Sequence, residues 1–368
     1  MTEPVTFVAW SHDGDARTGV LVTPHGPVQT PNFMAVGTRA SVKTIDAGDL
    51  ESLGAQIVLS NTYHLMLRPG AEVIEGQGGL HGFMAWQYPI LTDSGGFQVL
   101  SLEPQISEET LVFASTYDGS RVELSPERSV AIQEALGSDI AMVLDVPVAL
   151  PSPRDVAQSA MRQTLRWAER SKNAKSRNDR ALFGIVQGGA DPQLRRISAR
   201  ETADIGFPGF GIGGLAVGET ASQRAAAIEA TVPELPDDSV RYVMGLGDTE
   251  GLLDAVARGI DLFDCVLPTR LARHGKALTR QGDISIRRSE WTHDSGPIED
   301  DCRCDVCQRY SKSYIRHLHR THEATADRLL TLHNLSYTYR LMADIRDHIN
   351  GHTFAAFHED VVQRRRSR

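Results

Sequence analysis

Eight short apolar segments recur along the chain, and their spacing limits the folds that are open to it. Most are almost continuously apolar rather than alternating, which is typical of parallel strands that are buried on both faces. They are rich in β-branched residues, close on Gly, Asp, Asn or Pro, and cover 33–38, 56–62, 89–96, 139–145, 181–189, 210–216, 241–247 and 261–268.

Segments that favour helix separate most of these apolar runs. Ser125-Pro126 and Asp191-Pro192 each place a capping side chain before a proline, which predicts helices that end at Leu136 and near Ile205. Segments 220–230 and 249–258 are rich in alanine and amphipathic. Strands alternating with helices in this number predict the α/β class and a (β/α)8 barrel, whose core usually takes ~250 residues. A doubly wound open sheet is the alternative.

Three further segments lie outside this alternation. Residues 5–30 predict an antiparallel strand pair, and 111–124 predict a hairpin that turns at Asp118-Gly119. After residue 285 the pattern changes to a Cys-rich loop and two helical stretches, 308–320 and 323–349, followed by a polar tail.

Charge and hydropathy indicate the cellular compartment in which the protein is expected. The chain has 38 basic and 47 acidic residues and a net charge of −9, so a local basic patch rather than overall charge would have to attract a polyanion. No run approaches the ~18 apolar residues of a membrane helix. The first ten residues lack a basic region before an apolar core. We therefore expect a cytoplasmic protein without a membrane partner.

The four cysteines are unevenly distributed. Cys302, Cys304 and Cys307 fall within six residues, and only Cys265 lies elsewhere. Three thiolates and one imidazole complete a tetrahedral Zn²⁺ shell without an open position, which indicates a structural metal. His333 closes the shell as well as the nearer histidines do on spacing alone, since His317, His319 and His322 also follow the cluster.

Polar side chains stand where several of the predicted strands end. Asp93, Asp145 and Asp264 close three of the runs, Gln187 closes a fourth, and Gly213-Gly214 follows a fifth. In a (β/α)8 barrel these ends form the active-site mouth. Two facing carboxylates suit substitution at a sugar carbon, in which one attacks and the other handles protons.

A basic stretch directly follows Asp264. Residues 266–288 contain one acidic residue, Asp283, and six basic ones: Arg270, Arg273, Lys276, Arg280, Arg287 and Arg288. Such a stretch beside a reacting centre fits contacts to phosphates, and a solvated charged face is the alternative.

Taken together, these motifs resemble the queuine/archaeosine tRNA-ribosyltransferase family, the tRNA-guanine transglycosylases. The resemblance runs from about residue 5 to 350 in several long blocks. They are LTDSGGFQVLSL (91–102), GIVQGG (184–189), GFGIGGLAVGE (209–219), RYVMGLG (241–247), GIDLFDCVLPTRLAR (259–273) and the CxCxxC cluster with the distal His333.

The resemblance implies an enzyme that exchanges guanine at the tRNA wobble position for a 7-substituted 7-deazaguanine, in queuosine biosynthesis. It implies that Asp264 is the nucleophile, in a covalent aspartyl-ribose intermediate, and that Asp93 is the general acid/base. The implied ligands of the base are Asp145, Gln187, Gly214 and Leu215, with Phe97 and Met244 on its two faces and Glu219 bracing the Leu215–Ala216 peptide.

Further implications concern RNA, metal and assembly. Arg270 and Arg273 would hold anticodon-loop nucleotides. The zinc ligands would be Cys302, Cys304, Cys307 and His333, one ion per chain. The implied partners are tRNA with G at the wobble position, the deazaguanine base and a second copy of the chain. The implied domains are 1–284 as catalytic barrel, 285–350 as zinc-binding subdomain packed on it, and 351–368 as polar tail.

The chain departs from many bacterial members at a few positions. Val146 and Pro147 stand where those members have Glu and Cys, whereas Val217 matches their pockets, and Asp248 replaces an RNA-contacting lysine. Two incoming bases therefore stay open, 7-aminomethyl-7-deazaguanine and queuine. A barrel glycoside hydrolase that uses the two aspartates and a zinc-stabilised RNA-binding protein without catalysis are the alternative functions.

Overall fold

The computed structural model describes residues 4–100 and 102–366. Its first element is an antiparallel sheet of three strands, β1 (Thr6–Asp13), β2 (Ala16–Thr23) and β3 (Gly26–Thr30). The predicted antiparallel pair is thus present with one additional strand. Val28 is the only large apolar residue of β3, so this strand leaves little hydrophobic pattern in the sequence.

Eight of the later strands close into a parallel barrel, which confirms the predicted barrel and excludes the doubly wound sheet. The order around the barrel is β4-β5-β6-β10-β11-β12-β13-β14, with β14 pairing back to β4. In chain order the strands are β4 (Asn32–Gly37), β5 (Val58–Ser60), β6 (Ile90–Thr92), β7 (Gln105–Ile106), β8 (Leu111–Ala114), β9 (Arg121–Leu124), β10 (Ile140–Met142), β11 (Ala181–Val186), β12 (Gly209–Ile212), β13 (Val240–Val243), β14 (Leu262–Cys265), β15 (Lys276–Ala277) and β16 (Ile284–Ser285).

Successive residues of a barrel strand belong to different cores. In β4, Phe33 and Ala35 pack in the layer between the barrel and its helices, whereas Met34 and Val36 belong to the interior cluster. Both faces of the strand are therefore apolar, which explains the continuous apolar runs. Phe7 and Leu21 of the N-terminal sheet belong to the same interior cluster. This sheet closes the end of the barrel at which the strands begin.

Helices follow most barrel strands, and the two predicted starts are confirmed. The Ser125 hydroxyl accepts from the Arg128 amide at 3.2 Å, and Asp191 Oδ1 accepts from the Gln193 amide at 2.8 Å. The helices are α1 (Ala47–Ser52), α2 (Thr62–Leu67), α3 (Ala71–Glu75), α4 (Gly79–Met84), α5 (Gly96–Leu100), α6 (Pro126–Leu136), α7 (Arg154–Ala174), α8 (Pro192–Ile205), α9 (Ala221–Thr231), α10 (Thr249–Val256), α11 (Leu267–Arg273), α12 (Asp305–Arg309), α13 (Lys312–Arg320), α14 (Ala324–Asn350) and α15 (Phe354–Arg366). Within the part of the chain that the structure describes, no helix is long and apolar enough to cross a bilayer.

The predicted hairpin between β6 and β10 is present and joins a third short strand. Strands β8 and β9 pair around a turn in which Gly119 has a φ of +74°, a conformation that glycine adopts without strain. The short strand β7 pairs with β8 and completes a small sheet.

The C-terminal region differs from the expected tail. Residues 351–368 are expected as a polar tail, yet α15 occupies most of them, and residues 367–368 lie outside the described part. Arg365 donates to Asp283 at 2.7 Å and to the Thr279 carbonyl at 2.8 Å, so this basic helix is fastened to the loop after α11. Arg365 thus has partners that lie more than 80 residues away in the sequence.

A buried ion pair joins the N-terminal sheet to the barrel. Arg17 donates to both oxygens of Asp261, at 2.9 and 2.6 Å, and to the carbonyls of Asp237 and Ser239, both at 2.8 Å. Asp261 Oδ2 also accepts from the Arg241 amide at 2.7 Å. Because both charged groups are almost fully buried, removing one leaves the other without compensation.

We predict that Arg17→Ala lowers the free energy of unfolding by about 3–5 kcal/mol, because the buried Asp261 loses the cation that is hydrogen-bonded to both of its oxygens and keeps only the Arg241 amide and the nearby Arg241 charge. Arg154→Ala is the matched control, since Arg154 pairs with Asp191 at 2.7 Å while 53% exposed, and such pairs contribute about 0–1 kcal/mol. Urea unfolding of the two variants measures the difference. Equal losses in both would contradict the role given to the buried pair.

Candidate active site

The sequence-predicted polar residues gather at the end of the barrel where the strands finish. Asp93 follows β6, Asp145 lies three residues after β10, Gln187 follows β11, and Asp264 is within β14. Since the N-terminal sheet closes the opposite end, this rim is the open mouth of the barrel. Closure of the sheet brings these residues together although they are far apart in sequence.

Asp93 is buried and held by four donors. Its Oδ1 accepts from the backbone amides of Thr62, at 2.9 Å, and Gly95, at 3.2 Å. Its Oδ2 accepts from the side-chain amides of Asn61 and Gln98. Burial raises the pKa of Asp93 and outweighs these hydrogen bonds, which favour the ionised form. The carboxyl group is therefore fixed in place while its proton affinity is increased.

Asp145 and Gln187 form a polar pair beside Asp93, after the next two strands around the barrel, β10 and β11. Gln187 Nε2 donates to Asp145 Oδ2 at 2.6 Å, and the Ser94 hydroxyl lies 3.4 Å from Oδ1. Burial raises the pKa of Asp145 to about 6, against the hydrogen bond from Gln187. Among the described residues, the buried Gln187 Oε1 has no hydrogen-bond donor. Such an unsatisfied buried atom marks a place where a ligand can bind.

The glycines after β12 make room for this amide. A Cβ at Gly213 would lie 2.7 Å from Gln187 Nε2, and one at Gly214, where φ is +66°, would lie 2.4 Å from Gln187 Oε1. Any larger residue at either position would displace the side-chain amide of Gln187. The backbone amide of the loop can therefore approach a flat ligand held by Asp145.

Asp264 presents one free oxygen to the mouth. The Tyr242 hydroxyl and the Gly245 amide both donate to Oδ1, at 2.5 and 2.8 Å. Among the described residues, Oδ2 receives no donor. Burial raises the pKa of Asp264 to about 6, the two donors act against that rise, and the negative charge of Asp93 adds to it. The two aspartates are thus close enough to influence each other.

Glu219 braces the peptide between Leu215 and Ala216. The Ala216 amide donates to Glu219 Oε1 at 2.7 Å, and the Val217 amide donates to Oε2 at 3.0 Å. Ala216 has a φ of +61°, which is unusual for a residue with a side chain. In a trans peptide the carbonyl is opposite the amide, so the Leu215 carbonyl points away from Glu219. Arg224 also pairs with Glu219, at 3.3 Å.

Phe97 and the two predicted RNA-contacting arginines lie at the outer surface of the mouth. Phe97, on α5, is 56% exposed, while Met244 follows β13 and is half-buried. Arg270 is exposed on α11, and Arg273 NH1 donates to the Thr269 carbonyl at 2.9 Å. Neither arginine has an acidic partner among the described residues.

Two arginines of the basic stretch after Asp264 form ion pairs, so fewer of its positive charges are available to a ligand. Arg280 pairs with Asp344 at 2.8 Å, and Arg288 pairs with Glu290 at 3.3 Å. Asp248, at the position where an RNA-contacting lysine is common in the resembling family, caps α10 by accepting from the Gly251 amide at 2.8 Å. This departure therefore has a local structural role.

Sequence reasoning missed several residues that shape the mouth. Arg195 on α8 is fully buried and donates to the carbonyls of Gly189, at 2.8 Å, and Val186, at 3.0 Å. Tyr242 lies within an apolar strand, and its hydroxyl reaches Asp264. Asn61 stands at a strand end just as Asp93 does, so the same positional signal could have identified it. Nothing in the pattern around Arg195 signals its burial.

The three clustered cysteines and His333 form a second buried group. His333 Nδ1 lies 3.4 Å from Cys307 Sγ, 3.6 Å from Cys304 Sγ and 4.0 Å from Cys302 Sγ. Tetrahedral Zn²⁺ with ordinary Zn–S and Zn–N bonds separates S and N ligands by about 3.6 Å. His333 Nε2 contacts the Leu278 carbonyl at 2.9 Å, the type of outer contact that orients a metal-bound imidazole. The group can therefore bind a metal, and the histidine left open by spacing is His333.

A closed parallel barrel with buried carboxylates where its strands finish is typical of (β/α)8-barrel enzymes. A family model described as queuine tRNA-ribosyltransferase matches residues 13–367. A queuine tRNA-ribosyltransferase of Stenotrophomonas maltophilia (strain K279a) is 51% identical over 364 residues, which cover 98% of this chain and 97% of that protein.

Two further relatives carry the same name. The protein of Pelotomaculum thermopropionicum is 49% identical over 95% of both chains. The protein of Thermus thermophilus is 47% identical over 99% of this chain and 95% of its own length. The chain therefore belongs to the queuine tRNA-ribosyltransferase family and is an enzyme, which confirms the resemblance found in its motifs.

We predict that Asp264→Asn stabilises the fold at pH 8 by about 1–3 kcal/mol, because the burial that raises its pKa disfavours the ionised carboxylate. The asparagine oxygen still accepts from Tyr242 and Gly245. The gain disappears as the pH falls through about 6 toward the ordinary aspartate range, where the carboxyl is protonated in both folded and unfolded chains.

Thermal unfolding between pH 8 and pH 4 measures this gain, and Asp238→Asn is the control because Asp238 is an exposed residue away from the mouth. A stabilisation that does not change with pH would contradict the role of burial at Asp264.

Proposed function

We propose that the protein exchanges guanine at the wobble position of tRNA for a 7-deazaguanine, through a covalent bond between Asp264 and the ribose. The supporting observation is the pair of buried carboxylates at the barrel mouth, Asp93 and Asp264, in which burial raises both pKa values and the charge of Asp93 raises that of Asp264 further. The membership of the chain in the queuine tRNA-ribosyltransferase family supports the same substrate and reaction. It favours base exchange over the glycoside hydrolase and the non-catalytic RNA-binding protein.

In the first half of the reaction, Asp264 Oδ2 attacks C1′ of the target ribose. The C1′–N9 bond breaks, the Asp264–C1′ ester forms, and the electron pair of the broken bond goes to guanine. The carboxyl group of Asp93 then donates a proton to the departing guanine. Tyr242 and Gly245 hold Asp264 Oδ1, so the attacking oxygen is aimed before the substrate arrives.

In the second half, the Asp93 carboxylate removes the proton from N9 of the incoming base. The N9 lone pair attacks C1′ and displaces the Asp264 carboxylate. Two inversions at C1′ leave the ribose configuration unchanged. One glycosidic bond replaces another, so no energy source is required, and the phosphodiester backbone stays intact.

The base is read on its hydrogen-bonding edge by residues after β10, β11 and β12. Asp145 accepts from the ring and amino N–H groups, and the unsatisfied amide of Gln187 and the Gly214 amide complete the edge. Phe97 and Met244 cover the two faces of the ring. The tRNA base reaches this pocket by leaving its stack, which costs least in a single-stranded loop.

Of the two candidate incoming bases, we favour 7-aminomethyl-7-deazaguanine over queuine. The supporting observation is the orientation of the Leu215–Ala216 peptide, which Glu219 holds by its amide. The Leu215 carbonyl is then available to accept from a cationic aminomethyl group. Val217 limits the space beyond that group, which disfavours the bulkier substituent of queuine.

The remaining partners follow from the family and from the surface. Arg270 and Arg273, without acidic partners among the described residues, contact phosphates beside the target nucleotide. The metal of the Cys3His group is a structural Zn²⁺ that fixes α14 against the Cys loop. The assembly is a homodimer to which the zinc region contributes, where Tyr310 stacks on the exposed Tyr314.

We predict that Asp264→Asn abolishes incorporation of labelled guanine into tRNA while the dissociation constant for tRNA changes less than about threefold, since no phosphate contact is lost. Wild-type enzyme quenched during turnover gives a protein–RNA adduct on denaturing gels, and the variant gives none. Exchange at a normal rate by the variant, or turnover without any adduct, would remove the nucleophile assignment.

We predict that Cys304→Ser reduces bound zinc and the yield of folded protein together, because metal binding and folding of this region are coupled. Metal content by elemental analysis and thermal unfolding measure both quantities. Cys265→Ser is the control, since Cys265 lies outside the cluster. A stable, metal-free and fully active Cys304→Ser enzyme would contradict the structural role of the zinc.

A further inference from the structure

Two arginines lie over one tyrosine ring at the barrel mouth. The guanidinium carbons of Arg39 and Arg68 are 5.4 and 4.5 Å from the centroid of the Tyr117 ring. Both arginines are exposed, and neither forms an ion pair with the described residues. Asp118 is next to the ring, but its carboxylate accepts from the Ser120 amide and hydroxyl, at 3.1 and 2.8 Å. We refer to Arg39, Tyr117 and Arg68 as the Arg–Tyr–Arg cluster.

The cluster has a defined place around the barrel. Arg39 lies in the loop after β4, and Arg68 ends α2, which follows β5. Strand β14, which precedes Arg270 and Arg273, pairs with β4, and β4 pairs with β5. The four arginines therefore follow three adjacent strands. In the ring of eight strands, β4 is opposite β11, which carries the base-reading Gln187.

The cluster is also tied to the residues that hold Asp93. The Tyr63 hydroxyl is 2.9 Å from Thr116 Oγ1, and His64 Nδ1 is 3.3 Å from the Tyr117 hydroxyl. Both residues directly follow Thr62, whose amide donates to Asp93. The hairpin tip that carries Tyr117 is thus fastened to the helix that begins at the catalytic rim.

We propose that the Arg–Tyr–Arg cluster binds phosphates of the tRNA anticodon loop, next to Arg270 and Arg273 around the mouth of the barrel. This inference rests on the proposed function. Guanidinium groups bind phosphate through paired N–H donors. The tyrosine ring restricts both side chains before binding, so less conformational entropy is lost when RNA arrives.

The negative net charge of the protein makes a local positive cluster important for binding RNA. The chain carries a net charge of −9, which repels a polyanion at long range. Hydrogen bonds from Ser120 lower the pKa of the exposed Asp118 carboxyl, and Arg68 is near enough to help lower it. Neither Arg39 nor Arg68 forms an ion pair among the described residues, so their two like charges repel each other, and a phosphate between them relieves that repulsion. An arc of unpaired arginines along one side of the mouth guides the loop so that its target base faces Gln187 across the barrel.

The test measures binding of an unmodified anticodon stem-loop with G at the wobble position to zinc-loaded enzyme, across a range of salt concentrations. Arg39→Ala and Arg68→Ala should each weaken binding roughly tenfold at low salt. Each should also lower the steepness of log K against log salt by about 0.7–0.9. Arg196→Ala is the matched control, since Arg196 is exposed on α8, away from this arc, and it should leave the salt dependence unchanged.

Two variants of Tyr117 test the role of the ring as a positioning group. Tyr117→Phe keeps the ring and should bind the stem-loop as the wild type does, whereas Tyr117→Leu should weaken binding roughly threefold to tenfold. The KM for free guanine should stay the same in all these variants, because the base pocket is untouched.

Unchanged salt dependence in both arginine variants would overturn the inference, provided that the wild-type enzyme exchanges guanine. A wild-type enzyme that binds the stem-loop but never exchanges guanine would overturn the proposed function instead. A rise in the KM for guanine that matches the loss of RNA binding would also contradict the inference, since it would indicate a disturbed active site.

Discussion

The strands of a closed parallel barrel that is covered by helices can present side chains to solvent only at the two ends of the barrel, and this constraint governs the rest of the molecule. The N-terminal sheet places Phe7 and Leu21 against the interior core and closes one end. Every polar group that must meet a substrate therefore stands at the other end, where the strands finish. The fixed order of the strands then decides which groups face each other, so that Asp145 and Gln187 lie across one opening from the arginines that have no ion-pair partner among the described residues.

Burial of carboxylates at this opening links the fold to its chemistry. Asp93, Asp145 and Asp264 all have raised pKa values, and burial is the largest cause in each case. Because an ionised carboxylate is less stable when it is removed from water, these three residues lower the free energy of unfolding. Burial of apolar side chains in the cores offsets this loss. In the reaction proposed here, the same loss of water favours attack by the Asp264 carboxylate, whose pKa is about 6, and increases the proton affinity of Asp93.

Much of this arrangement could be predicted from the sequence, because strand ends and polar residues coincide. The apolar runs at 89–96 and 139–145 extend beyond strands Ile90–Thr92 and Ile140–Met142, and the excess residues carry Asp93 and Asp145. What pattern reasoning missed depends on long-range contacts. Arg195 looks like a surface helix residue, yet it is buried beneath two loops. The arginines of α15 look free, yet Arg365 meets Asp283, 82 residues away. The family resemblance, rather than the spacing, identified His333.

Helix α14 joins two parts of the molecule that the chain order suggests are separable. Near its start, Leu329 and Leu330 pack in the same cluster as Cys302 and Cys307, while Leu341, Met342 and Ile345 pack with the barrel helices. At its far end, Asn350 accepts from Thr18 at 2.7 Å. The C-terminal region therefore cannot be grafted onto another scaffold or deleted as an independent cassette, and a gene rearrangement that split this helix would leave two fragments with exposed apolar faces.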